Sequence, residues 1–149
     1  MTVQTKYVGE VKLEQENIIH FPNGLPGFFN ELKFALLDLP GNPIFQTLQS
    51  ITTPSLAFIV TNPYHFYQDY TFKLDDTTQE ILGIESERDI VVLSIVTLKS
   101  PFNTSTVNLK APIIINSTHN QGKQYVINSD EYPTKASIVP AKSSKAKGE

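Results

Sequence analysis

A recurring pattern most constrains what this chain can fold into: short β-branched and aromatic runs, each closed by proline, glycine or asparagine. Residues 9–13 alternate, with Val11 and Leu13 apolar and Glu10 and Lys12 polar, and Asn17-Ile18-Ile19-His20-Phe21 follows as a second run. Alternation of this kind places apolar side chains on one face of a half-buried strand. The stretch Pro22-Asn23-Gly24-Leu25-Pro26-Gly27-Phe28 reads as a double turn, because Gly24 and Gly27 can take positive φ while Pro26 fixes its own φ. Further strands are expected over residues 34–39, 45–50, 56–60, 90–98, 105–115 and 122–128. The 90–98 run is of the fully buried type, and Pro112 marks a bulge or an edge in 105–115. The turn at 117–122 makes the last two strands a C-terminal hairpin.

One segment breaks the pattern. Asp75 and Asp76 precede Thr77, and Thr77 with Glu80 has the spacing of a capping box ahead of Ile81 and Leu82. A short helix is expected over about 77–83. The fold class is therefore all-β, a small antiparallel barrel-like domain or sandwich with one short helix. The chain has 149 residues, and the expectation is one domain over 1–140. Residues 141–149 hold lysine, serine, alanine and glycine without apolar periodicity, and are expected to form a flexible, frayed tail.

Composition excludes several classes of function. No cysteine is present, so there is neither a disulfide framework nor a thiolate site, which suits a reducing cytoplasm. The N-terminus lacks the basic and apolar regions of a secretory signal. Residues 90–98 form the longest uncharged apolar stretch, far short of the ~20 residues a spanning helix needs, so a soluble protein with no membrane role is expected. With a net charge of −3 the chain has no positive excess for gripping phosphates, and direct nucleic-acid binding is not expected. His20, His65 and His119 lack the spacing and companion ligands of a metal centre, so neither a metal nor a cofactor is expected. His65 with Asp69 is the nearest approach to a hydrolytic grouping, but it lacks a nucleophile elbow and an oxyanion loop. The chain is read as a binding protein and not an enzyme.

Two features stand above the background. Residues 64–70 contain Tyr64, Phe66, Tyr67 and Tyr70, which either pack the core or anchor a partner, since tyrosine and phenylalanine are enriched at binding hot spots. Between residues 69 and 89 lie Asp69, Asp75, Asp76, Glu80, Glu85, Glu87 and Asp89, opposed only by Lys73 and Arg88. That segment's net of five negative charges exceeds the charge of the whole chain. It is either a solvated face or a field that steers a basic partner over a Debye length of about 8 Å.

Three sequence blocks stand in order along the chain. The first is Phe21-Pro22-Asn23-Gly24-Leu25-Pro26-Gly27-Phe28. The second is Phe45-Gln46-Thr47-Leu48-Gln49-Ser50 with Pro54-Ser55-Leu56-Ala57-Phe58-Ile59-Val60, continuing to Asp69-Tyr70. The third is Val107-Asn108-Leu109-Lys110-Ala111-Pro112-Ile113-Ile114-Ile115-Asn116, with Gly122-Lys123-Gln124 beyond it. Together, in this order, they resemble the FliW family of flagellar assembly factors. The resemblance implies a β-barrel-like cytoplasmic protein that binds flagellin before export. It also implies binding of CsrA, a translational repressor of flagellin messenger RNA, so that flagellin leaving the cell frees the chain to sequester CsrA. On this reading Asp69, Asp75, Asp76, Glu80, Glu85 and Glu87 form the candidate CsrA face. Tyr64, Phe66, Tyr67 and Tyr70 are candidate anchors for flagellin, and Gly24, Pro26 and Gly27 serve the turn alone. A monomer is expected. The alternatives are a general β-barrel chaperone or peptide-binding module and, third, a hydrolase using the acids near Asp69.

Overall fold

The computed structural model describes residues 1–139. Its strands, in chain order, are β1 (Thr2–Gln4), β2 (Glu10–Lys12), β3 (Ile18–His20), β4 (Lys33–Leu39), β5 (Asn42–Ser50) and β6 (Ala57–Thr61). The helix α1 (Asp76–Leu82) precedes β7 (Ile90–Thr97), β8 (Thr106–Val107), β9 (Ile113–Asn116), β10 (Gln121–Gln124) and β11 (Ala136–Ser137). The β1–β2 pair forms a hairpin of its own, whose Val3 and Leu13 pack on Ala35 of β4. The remaining strands form one sheet in the order β11-β8-β7-β6-β5-β4-β3-β10-β9, and β9 also pairs with β7. That last pairing curls the sheet into a partly closed ring, which leaves fewer bare strand edges to recruit foreign chains.

Strand alternation explains why so many residues are buried. Phe34, Leu48, Val60 and Leu93 point into the ring with Phe21 and Ile113, where Phe21 meets Phe34 edge-on at 5.2 Å. Phe45, Ile59 and Val96 point the opposite way, beneath a layer supplied by Tyr70, Leu109, Ile127 and Ile138. Strands sandwiched between two apolar layers read as continuous apolar runs, as β7 does.

Three expectations need correcting. Residues 105–115 are not one continuous strand. Asn108 accepts hydrogen bonds from the N–H groups of Lys110 (3.1 Å) and Ala111 (3.0 Å), and this turn splits the run into β8 and β9. On β7, Val96 faces Val107 and Leu93 faces Ile113, so three positions on one side are matched by six on the other. The surplus residues bulge outward and drop Leu109 into the outer core layer. The helix begins one residue earlier than expected and does not use Thr77 as its cap; the Asp75 carboxylate takes the Thr78 N–H at 2.8 Å, and Gly83 closes the helix in the left-handed conformation. The sheet is not wholly antiparallel, since β3 and β10 meet in parallel at His20 and Gln121. Strands β1 and β11 are not among the strands expected from the sequence pattern. The tail expected at 141–149 lies outside the described residues.

The double turn is present, with Gly24 at φ +65° and Gly27 at φ +84°. Their surroundings differ. A methyl group on Gly24 would sit 2.7 Å from the Phe28 and Phe29 backbone, whereas one on Gly27 would meet open space. Gly27→Ala should therefore cost only the left-handed penalty of about 1 kcal/mol. Gly24→Ala should cost at least about twice that, because backbone must also shift. Urea unfolding of the two variants makes the comparison, and equal midpoints would refute the crowding argument.

Candidate functional site

The acidic segment covers one side of the outer layer. In α1, Thr78 and Leu82 are buried at i and i+4, which turns Asp76 and Glu80 to solvent on a shared face. Two contacts fix the helix in place. Gln79 donates its side-chain amide to the Leu74 carbonyl at 2.9 Å, and the fully buried Asn116 donates to the Leu82 carbonyl at 2.7 Å. Asn116 also accepts the Thr118 N–H at 2.9 Å, so one side chain holds both the helix end and the β9–β10 turn. Sequence reasoning passed over Asn116; its only signal was an asparagine ending an apolar strand ahead of a turn.

The acids divide into two kinds. Asp75 is the helix cap and Asp89 is half-buried, its carboxylate accepting from the Thr118 hydroxyl at 2.8 Å and its carbonyl from Ser117 N–H at 2.8 Å. These two carry structural bonds. Asp69, Asp76, Glu80, Glu85 and Glu87 are all exposed. Glu85 and Glu87 line a groove of about 900 Å³ together with Tyr64, Phe72, Leu74, Ile90 and Val92, and Lys73 lines it too.

The aromatic block is divided by the fold. Tyr70 is buried, and its hydroxyl donates to the Leu109 carbonyl at 2.6 Å while Tyr132 packs edge-on at 4.7 Å. Burial, with Tyr64 and Tyr132 adding to it, pushes the Tyr70 hydroxyl far above the ordinary tyrosine range. Tyr70 therefore belongs to the core and offers no anchor to a partner, which corrects the expectation for it. Phe66 is half-buried and stacks on Phe45, and the Tyr67 hydroxyl donates to the Ser137 carbonyl. Tyr64 is the most exposed of the four and reaches the groove. Desolvation by partial burial, then the nearby Tyr132, raises its hydroxyl above the usual value. His65 and Asp69 are both exposed and line no part of that groove. Among the described residues no cluster of three or more histidine, cysteine or acidic side chains could hold a metal ion. Among them, too, no helix is long and apolar enough to cross a membrane.

A second exposed apolar surface was not foreseen. Phe28 is 40% exposed, Phe29 67% and Leu32 44%, all beside the Gly24–Gly27 turn. Phe28 leans edge-on against Phe58 at 5.6 Å. Next to it, Glu31 accepts from the hydroxyls of Ser50 and Thr53, each at 2.6 Å, and the buried Gln49 amide donates to carbonyls of the same 50–56 loop. The signature turn thus displays aromatic surface on a braced frame, as well as satisfying backbone geometry.

Comparison with known proteins agrees across sequence and structure. The family described as FliW protein matches residues 2–138. The flagellar assembly factor FliW of Oceanobacillus iheyensis is 50% identical over 138 residues, covering 93% of this chain and 94% of that protein. That of Bacillus subtilis is 43% identical over 138 residues, with 93% and 96% covered. A crystal structure of the flagellar assembly factor FliW superposes with a TM-score of 0.90 at 38% identity, covering 94% of this chain and 98% of that one.

The capping aspartate gives a pH dependence with a definite sign. The Thr78 hydroxyl, then the Thr78 N–H, hold the Asp75 carboxyl below the ordinary aspartate range, with Lys123 adding a smaller attraction. A lowered folded value means the stabilisation is complete above the unfolded aspartate range and disappears as pH falls through the folded value. Asp75→Asn keeps an acceptor but loses the charge, so its stability deficit relative to the parent should be present near neutrality and vanish in acid. Thermal unfolding of both proteins from pH 7 down to about pH 2 tests this. A deficit that persists unchanged into acid would assign the effect to something other than this carboxylate.

Proposed function

Because the chain belongs to the FliW family of flagellar assembly factors, we propose that it is a cytoplasmic, non-enzymatic regulator that binds CsrA and flagellin by turns. Bound to flagellin, the chain leaves CsrA free to repress flagellin translation. Once flagellin is exported, the chain takes up CsrA and translation resumes. The observation that carries the CsrA half is the set of exposed acids, Asp76 and Glu80 on one helix face and Glu85 and Glu87 along the groove. A repressor that grips RNA must be electropositive there, and a like-charged face on its antagonist repels the RNA while attracting the protein. Asp69 extends the proposed face. Asp75 contributes charge to it but also caps the helix, so it is a poor site for testing charge alone.

The test is an ion-pairing measurement. Changing Asp76, Glu80 and Glu87 together to lysine should weaken binding of purified CsrA about tenfold at low salt, at a few tenths of a kcal/mol per exposed pair. It should also flatten the dependence of affinity on salt. Titration calorimetry at several salt concentrations reads both, and an unchanged affinity and slope would remove the acidic segment from the interface.

For flagellin the proposed anchors are Tyr64 with the exposed edges of Phe66 and Tyr67, receiving an amphipathic segment. Tyr64→Ala is the clean probe, since Tyr67 also ties the chain near its C-terminal strand through Ser137. Flagellin affinity should fall about tenfold with the melting temperature preserved. An unaltered affinity would move the anchor elsewhere, with Phe28 and Phe29 the first residues to try.

A further inference from the structure

Strand β7 lacks a neighbour along part of the edge it shares with β6. The two strands pair at Val60–Ile95 and Thr61–Ser94 and no further. Continued by two residues, that register sets Pro63 opposite Val92. Proline has no N–H to donate. The Pro63 carbonyl is already taken by the N–H groups of Phe66 (3.0 Å) and Tyr67 (2.9 Å), so the chain turns away after Asn62. The direction of the freed groups follows from the opposite edge of β7. There the Asp89 carbonyl accepts from Ser117 N–H, and the Ile95 carbonyl from Asn108 N–H. Backbone groups alternate in direction along a strand, so those of Val92 point to the β6 side. Among the described residues, the Val92 N–H and C=O have no hydrogen-bond partner.

The groove lined by Tyr64 and Glu85 runs along this open edge. Val91 and Leu93 face the ring core, Ile90 and Val92 face the helix side, and all four line the groove. A groove that meets both faces of one strand lies along its edge. Ile90, Val91 and Val92 are half-exposed, although the run is apolar and belongs to an interior strand of the sheet. We infer that this edge is a strand-addition site, where an extended segment of a partner protein pairs antiparallel with Ile90–Leu93 and continues the ladder that β6 abandons at Thr61. A free N–H and C=O on one residue are complemented by the same two groups on another extended residue, which is the exchange an antiparallel ladder makes. The lining sets the segment's side chains. A residue opposite Val92 lies on the face of Phe72 and Leu74 and is apolar, while its neighbours lie on the ring side with Gln46 and are polar. Charge adds one demand. Glu85 and Glu87 outnumber Lys73 among the charged residues of the groove, and a single lysine or arginine in the segment balances them. Backbone pairing of this kind does not depend on the CsrA and flagellin assignments above.

The probe is a pool of capped hexapeptides in which valine, isoleucine, leucine or phenylalanine alternates with threonine or lysine, titrated into the isotope-enriched full-length chain. At about 1 mM peptide the expected result is a set of amide shifts centred on residues 90–93, with exchange of the Val92 amide hydrogen slowed roughly tenfold. The best binder is then N-methylated one residue at a time. Only alternate N–H groups of an added strand face β7, so methylation should weaken binding about tenfold at every second residue and leave the others nearly unchanged. Changing Glu85 and Glu87 together to glutamine should weaken a lysine-containing binder about threefold. A pool that leaves residues 90–93 unshifted would overturn the inference. So would N-methylation effects without alternation, which mean that side chains alone are recognised, or an unchanged affinity in the double variant, which removes the basic segment as occupant. Shifts at 90–93 that grow with protein concentration in the absence of peptide also count against it, since a second copy of the chain then holds the edge. Neither flagellin nor CsrA enters this measurement, so its failure and theirs are separate.

Discussion

Everything else in the fold hangs on the two edges of β7. One edge pairs with β6 at Ile95 and Ser94. The other is shared: its first half, Ile90–Leu93, pairs with β9, and its end, Val96–Thr97, pairs with β8. Backbone N–H and C=O groups buried between apolar layers must be paired, and this division pairs the second edge at both of its ends. It also sends the sheet two ways. The β9 side curls round through β10 and β3 to close the ring, while the β8 side carries β11 and the C-terminal segment outward to cover the second face. The bulge at residues 108–112 is where the two directions part, and Leu109 and the Tyr70 hydroxyl lock that point from outside.

This branching decides what surface the chain can show. The layer that covers the outer face is built from 62–74 and the C-terminal segment, so its aromatic residues are consumed in different measure. Tyr70 is wholly inside, Phe66 and Tyr67 are half in, and Tyr64 remains to wall the groove. The acidic helix then sits against this layer, held at one end by the Asp75 cap and at the other by Asn116. The Asp76 and Glu80 charges are thereby displayed from the helix, while Asp69, Glu85 and Glu87 flank it. Such placement favours fast, salt-sensitive association over contact-by-contact affinity. The aromatic surface at Phe28 and Phe29 is braced separately, by Glu31 and Gln49. Two exposed surfaces of different chemistry thus share one small scaffold.

Much of this was legible in the residues themselves. Alternation located the main strands from β2 to β7, and the glycines of the double turn have the positive φ that their residue type allows. The acidic excess and the helix were visible from composition and capping chemistry, to within one residue. The site was less legible. Whether Tyr64 or Tyr70 faces solvent depends on Leu109 and Tyr132, which lie about 40 and 60 residues away along the chain and leave no trace in local periodicity. Phe28 reads as the end of a turn because proline and glycine dominate that signal, and Phe29 carries no signal of its own. Nothing local says that a turn's aromatics will have no core left to enter.

The sequence by itself determined that the chain is a strand-rich protein with one capped helix, an acidic segment and signature turns, because propensity, capping and charge act over a few residues. Only the tertiary structure decided the rest: the partly closed ring with its parallel β3–β10 joint, the break between β8 and β9, and the splitting of the aromatic block between core and groove. These outcomes depend on which strand edges find partners and which side chains find space. Contacts between residues far apart in the chain settle both.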